Sequence, residues 1–362
     1  MSSTGSVSLH DLIVCACGTQ EYAARDAIDA AIFRGEFEDR WQKFLHHVAA
    51  EQHADELELE LDESAISAAA EQFRYEHDLI TAEVTEAWLA NRGLTFDDFS
   101  DYFARQYCVG VVRKGFSPEE IDYVGAAPEL RDLFVAELIL SGDLENMTTK
   151  LMWRLAARSA GEKPTPEAMT AEERKFLRRF RIRPAQVGDW LERLGRGLQW
   201  LDEMLAIETA YGTHCARLLV SEARELELIR LRLQLTQFEI EVIELESRDA
   251  AQEALFCVRE DGMSMQEVAT EGRYPYRRAD FHLEDLPLDA QQNYLSASAG
   301  DVLGPIQRCD GFELCRIVKK VEPRLEDPTV KSRIDQRLLN RHFSELTTKY
   351  TDSRLGVPVS VE

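Results

Sequence analysis

The stretch AGDVLGPIQRCDGFELCRIVKKVEP, residues 299–323, decides how the second half of this chain folds. Two short apolar runs, Ile306 to Cys309 and Phe312 to Val318, flank Asp310-Gly311, a dipeptide suited to the positive-φ positions of a tight hairpin turn. An antiparallel hairpin is the prediction. Upstream, QFEIEVIELES alternates Phe238, Ile240, Val242 and then Leu245 with acids, the pattern of a strand with one buried face. Between them, SRDAAQEALFCVREDGMSMQEVA offers Ser247 as N-cap, a packing face of Ala250, Ala251, Ala254, Leu255 and Val258, and Gly262 as the stop. Strand, helix and short helix therefore lead into the hairpin and close a small antiparallel sheet over residues 235–322.

Beyond the hairpin, Asp327 serves as N-cap and Pro328 as first helical residue of a helix with Val330, Ile334, Leu338, Leu339, Phe343, Leu346 and Tyr350 on its apolar face. A lone helix cannot bury such a face, so residues 323–362 are expected to pack back on the N-terminal helices and make that domain discontinuous. Residues 1–234 read as that helical domain. Apolar spacing predicts a helix over 20–50 with a break near Gly35, an acid-rich connection at 51–63, and a Thr95/Asp98 capping box. Short helices are expected after Pro118 and Pro128, then an exposed connection near 161–173 with its two prolines. Val187, Trp190, Leu191, Leu194, Leu198, Leu201 and Leu205 hold one stripe on a single helix, and another helix is expected over 214–233. The fold class is mostly helical α+β.

A net charge of -24 argues against nucleic acid as the main partner, because most of the surface repels phosphate. The seven cysteines are scattered, odd in number and without a CxxC pair, the usage of reduced thiols in a cytoplasm. The N-terminus lacks a positive n-region and its apolar run, Leu12 to Ala16, is short, so neither a signal peptide nor a membrane partner is expected.

This order of elements resembles the SurA-like and NifM-like chaperones, in which a helical domain is completed by a C-terminal helix after a parvulin-type (PpiC) peptidyl-prolyl isomerase domain. SRDAAQEA with EDGMSMQEVA is similar to the parvulin helix and the segment after it, and residues 283–323 are similar to the family's tail. EQFRYEHDLITAEVTEAWLANRGLTFDDFSDYFARQ, residues 71–106, is similar to the helical chaperone domain. Residues 107–210 match only loosely. The resemblance implies a proline-holding Met or Leu and Phe, and a hydrogen-bonded ring of two histidines with an Asp or Cys. Here the first histidine's place falls at about Glu241 or Val242, the second at Glu313, and GRYPYRRADFHLEDLP replaces the glycine-rich stretch. A degenerate active site on a kept fold is the expectation.

His282, Glu313 and Glu241 are the remaining catalytic candidates, against the plainer reading of His282 as a solvated loop residue. Met263, Met265, Phe281, Leu303 and Phe312 are the candidate peptide-binding residues, or else the core of a small sheet. Arg174, Lys175, Arg178 and Arg179 form the one local charge reversal, a surface for an acidic partner or a helix face paired with the acidic bulk. His46, His47 and His53 lack ligand spacing, so no metal and no cofactor is expected. The function implied is a chaperone or maturation factor holding an unfolded or precursor polypeptide client in the cytoplasm, with weak or no isomerase activity and room for a homodimer. An active isomerase and a non-catalytic assembly scaffold, in peptide natural-product or metalloenzyme maturation, are the alternatives.

Overall fold

The computed structural model describes residues 8–112, 116–118, 120–161, 163–308 and 311–355. Helix accounts for 63% of the described residues beside small antiparallel sheets, so the protein is mostly helical α+β, as the periodicities and the closing hairpin imply. Its contacts divide it into two compact units, Met1–Cys215 with Arg341–Glu362, and Ala216–Asn340. Among the described residues no helix is long and apolar enough to cross a membrane.

The first unit opens on a hairpin of β1 (Ile13–Cys17) and β2 (Gln20–Ala23), so the helix expected from residue 20 begins instead at α1 (Ala24–Phe33). Four residues of strand are too few for their spacing to differ from a first helical turn. After the break at Gly35 comes α2 (Glu38–Glu56), whose last turns absorb the first half of the acid-rich stretch, leaving 57–62 as the connection. Asp62 then caps α3 (Glu63–Glu76) by accepting from the Ser64 and Ala65 amides. Next are α4 (Ala82–Ala90) and α5 (Phe96–Val111), opened by the reciprocal Thr95/Asp98 box, then α6 (Pro128–Leu140) and α7 (Asp143–Ala160). No helix follows Pro118 among the described residues. Trp41, Phe44, Phe134, Leu138, Leu144 and Leu151 join these helices in one core.

Two corrections concern the next stretch. The connection near 161–173 is shorter than its prolines suggest, because Thr165 caps α8 (Pro166–Phe180) with Pro166 at its first position, where a missing amide costs nothing. The single stripe of 187–205 is cut into α9 (Val187–Arg193) and α10 (Leu198–Leu218) by Gly195, whose φ of +63° an L side chain avoids. Both halves keep their apolar residues inward: Val187, Leu191, Leu201 and Leu205 pack with Phe33 and Phe176. The stripe survives the break because packing, not helix continuity, maintains it.

In the second unit the helix expected over 214–233 is the end of α10 followed by α11 (Ser221–Leu231). Then come β3 (Gln237–Leu245), α12 (Arg248–Arg259), α13 (Met265–Gly272), β4 (Tyr276–His282), α14 (Leu288–Ser296), β5 (Val302–Arg308), β6 (Gly311–Val321) and α15 (Pro328–Tyr350). The sheet order is β4-β3-β6-β5, antiparallel throughout. The hairpin expected around Asp310-Gly311 is β5–β6, while Asp310 and Cys309 lie outside the described residues. β4 occupies the stretch that reads in sequence as a replacement for a glycine-rich loop.

Asp327 caps α15 through the Thr329 and Val330 amides. Within the second unit Val330, Ile334 and Leu338 of this helix pack with Leu231 and Leu235, which is why the contacts draw the division at 215/216 rather than near 234. Within the first unit its Phe343 stacks on Trp153 at 5.1 Å and on Tyr211 at 5.0 Å. The short β7 (Thr351–Ser353) follows and pairs with β1.

Candidate functional site

The site is built on β3, the strand flanked by β4 and β6. Successive side chains of a strand point to opposite faces, and here both faces are covered. Phe238, Ile240 and Val242 face Leu283, Tyr294, Cys315 and Ile317, under α14. Ile243 and Leu245 face the other way, toward Ala251 and Ala254 of α12, Met265 and Val268 of α13, and Leu314. The single buried face expected from the alternating acids is therefore corrected to two. An exposed-looking acid, Glu241, is drawn inside.

Glu241 and Glu313 stand on opposite faces of the sheet. Glu241, 5% exposed, lies on the α12/α13 face; its Oε1 accepts from the Tyr276 hydroxyl at 2.8 Å and from Arg278 Nη2 at 3.0 Å, and Arg316 Nε lies 3.1 Å from Oε2. Glu313 belongs to the α14 face, where Arg277 Nη2 lies 3.0 Å from Oε1 and Arg308 Nε 2.7 Å from Oε2. Arg277 also donates to Glu244 Oε1 at 3.1 Å. These carboxylates raise the pKa of both Arg277 and Arg308, chiefly through the hydrogen bonds. With the sheet between them, Glu241 and Glu313 cannot work as an acid–base pair.

Removing a buried carboxylate tests this arrangement. Glu241→Ala leaves the Tyr276 hydroxyl and Arg278 Nη2 without their acceptor and Arg316 without its ion-pair partner, and is expected to cost about 1–3 kcal/mol in denaturant unfolding. Glu241→Gln keeps an acceptor and is expected to cost less. Equal losses for the two would show that the charge rather than the hydrogen bonds holds the carboxylate.

His282 is buried at 6% exposure, not solvated. Its amide donates to Asp285 Oδ2 at 2.9 Å, its Nδ1 lies 3.7 Å from the same oxygen, and its Nε2 is enclosed without a hydrogen-bond partner. Arg333 holds Asp285 from α15, at 2.7 and 3.0 Å, and lowers its pKa through those bonds. His282 pairs with Gln237 and Arg277 with Val242, five residues along β4, a separation of about 16 Å at strand rise. The three catalytic candidates are thus dispersed.

On the α14 face, where the resemblance asks for imidazoles, Val242 pairs across the strands with Cys315 at 0% and 1% exposure. The Tyr294 ring packs in the same cluster as Cys315, and burial pushes the pKa of both the Tyr294 hydroxyl and the Cys315 thiol up. A thiol so placed is not a nucleophile at neutral pH. Phe281 stacks on Phe238 at 5.7 Å and meets Tyr294 edge-on at 5.3 Å. The face is a packed core.

The five candidate peptide-binding residues separate in the same way. Met265 is fully buried in the α12/α13 core and Phe312 packs on it, while Phe281 belongs to the α14 side. Only Met263 and Leu303 meet at an open groove, of about 770 Å³, between the end of α12, the start of α13 and the start of β5. Arg259, Glu267, Asp301 and Arg316 give it a charged lining of both signs. Arg259 is anchored there, donating to the Val302 carbonyl at 2.7 Å. Sequence spacing missed these four because they come from three separate elements and a turn.

On α8, Lys175 pairs with Glu172 at 2.7 Å and Arg179 donates to the Phe33 carbonyl at 2.7 Å, so two of the four basic candidates are engaged within the first unit. Arg174 and Arg178 are exposed. Among the described residues no group of three His, Cys, Asp or Glu side chains is placed to hold a metal ion.

No protein-family model and no curated protein matches the chain. Among solved structures, the peptidylprolyl isomerase PrsA from Bacillus cereus is similar at 12% identity and a TM-score of 0.37, covering 69% of this chain and 92% of that one. PrsA from Bacillus anthracis is similar at 12% identity and 0.31, covering 56% and 94%, and the foldase protein PrsA from Streptococcus pneumoniae at 11% and 0.26, covering 68% and 95%. TM-scores this low assign neither fold nor activity.

Proposed function

We propose that this chain is a polypeptide-holding factor of the SurA-like type, whose parvulin-like sheet has lost its isomerase chemistry. The observation that carries the reading is the Val242–Cys315 pair, sealed under Tyr294, with Glu313 beside it clamped by Arg277 and Arg308. Rotating an X-Pro bond means crossing a barrier of about 18–20 kcal/mol, so a catalyst needs room for the proline ring and polar groups that favour the twisted amide. The packed α14 face supplies no such room. Holding a client needs neither, only an accessible surface that binds the unfolded chain and so lowers its free concentration.

The groove at Met263 and Leu303 fits that role, because its volume suits a few residues of extended chain and its lining mixes apolar and charged groups. A cytoplasmic setting is supported by the scattered, odd-numbered cysteines. A panel of X-Pro peptides is expected to isomerise at the uncatalysed rate in the presence of the protein, while aggregation of a chemically unfolded client is delayed. Met263→Glu should weaken peptide binding about tenfold, the equivalent of about 1.4 kcal/mol. Acceleration that survives replacement of His282 and Glu313 would restore the active-isomerase reading. Undelayed aggregation would instead favour an assembly scaffold.

A further inference from the structure

A second cavity, of about 680 Å³, opens in the first unit among α1, α2, residues 120–124, the end of α8 and α9. Tyr123, Phe180 and Trp190 contribute aromatic wall, and Glu38, Glu120 and Asp122 contribute exposed carboxylates. No lysine or arginine lines it, and none of the three carboxylates is ion-paired among the described residues. The wall is rigid. Trp190 meets Phe176 edge-on and Phe180 at a tilt, both at 4.9 Å, and the Tyr123 hydroxyl is 3.2 Å from His10 Nε2. The Trp41 indole donates to the Ile121 carbonyl at 2.7 Å, holding the acidic segment against α2.

Aromatic faces attract cations, and carboxylates beside them add direct charge complementarity. A long basic side chain fits both demands, since its alkyl stem lies on apolar surface while its head stays with the acids. We propose that this cavity takes a lysine or arginine side chain of an extended client polypeptide, the stem against Trp190 and Phe180 and the cation facing Glu38, Glu120 and Asp122. The inference rests on the holding role proposed above, but it places a selective contact in the first unit and gives the client a sign of charge.

The test uses the whole chain and three labelled peptides that differ at one position, arginine, citrulline or glutamate, with binding read by fluorescence anisotropy. The arginine peptide is expected to bind about tenfold more tightly than its citrulline match, with a preference that shrinks as salt rises. Glu120→Gln combined with Asp122→Asn, both exposed, is expected to weaken the arginine peptide about five- to tenfold and to leave thermal unfolding unchanged. A photo-crosslinker beside the arginine should label residues 120–124 or the Trp190 region. An equal affinity for all three peptides overturns the inference, as do crosslinks confined to residues 258–264 and 296–303. Free arginine or tetramethylammonium binding as tightly as the peptide would assign the cavity to a small cation and overturn it too. Binding of no peptide at all, to wild type or variant, defeats the holding role itself.

Discussion

Phe238→Ala is expected to remove about 3–5 kcal/mol from the stability of the second unit. Phe238 is fully buried on the central strand β3, stacked on Phe281 and edge-on to Tyr294 at 5.8 Å, with the Lys320 ammonium 5.2 Å from its ring centre. Truncation forfeits the transfer of a whole ring and leaves a void that α14 cannot fill without abandoning the Tyr294–Cys315 contact. Both losses act together, which is why aromatic truncations fall at the top of the usual range. The five tryptophans, at 41, 88, 153, 190 and 200, all lie in the first unit, so the measurement should be hydrogen exchange at the β3, β4 and β6 amides. Faster exchange there by two or more orders of magnitude is the expected result. A loss below about 1 kcal/mol would mean that the α14 face is looser than its burial implies.

The second large effect is expected at Gly311, the first residue of β6. Its φ is +148°, and a Cβ built there would lie 2.4 Å from the Leu245 carbonyl oxygen, a backbone atom with no rotamer to escape into. Gly311→Ala must therefore strain the turn or push β6 away from β3 at the Leu245–Phe312 pair. Either route is expected to cost about 2–4 kcal/mol, read as a lowered midpoint in urea. A neutral outcome would show that the turn relaxes freely, and that the hairpin register is set further along the strands.

Both residues fall in segments whose sequence speaks for itself. Phe238 sits in an alternating run, and Gly311 follows an aspartate between two apolar runs. The strands on either side were legible there because local chemistry and tertiary demand agree. β4 was not legible. Tyr276–His282 holds two adjacent arginines and an aspartate, and it becomes a strand because those arginines have carboxylates to meet on both faces of the sheet, Glu244 and Glu313 on one and Glu241 on the other. The same holds for the candidate site. A sequence can show that histidines are missing, but not that Glu241 and Glu313 stand on opposite faces, because that depends on the register of β3 against β6.

The sequence by itself determined the mostly helical α+β class, the hairpin around Asp310-Gly311, the Thr95/Asp98 capping box, the Ser247 and Asp327 N-caps, and α15 from Pro328 to Tyr350. Each of these rests on interactions a few residues apart, so the residues that form them are adjacent in the chain. Only the tertiary structure decided the break at Gly195, the pairing of β7 with β1, and the burial of His282. It also decided which of Met263, Met265, Leu303 and Phe312 reach an open groove and which fill the core. Those outcomes depend on partners brought together from distant positions, and an apolar residue in sequence looks the same whether a helix will cover it or leave it to a client.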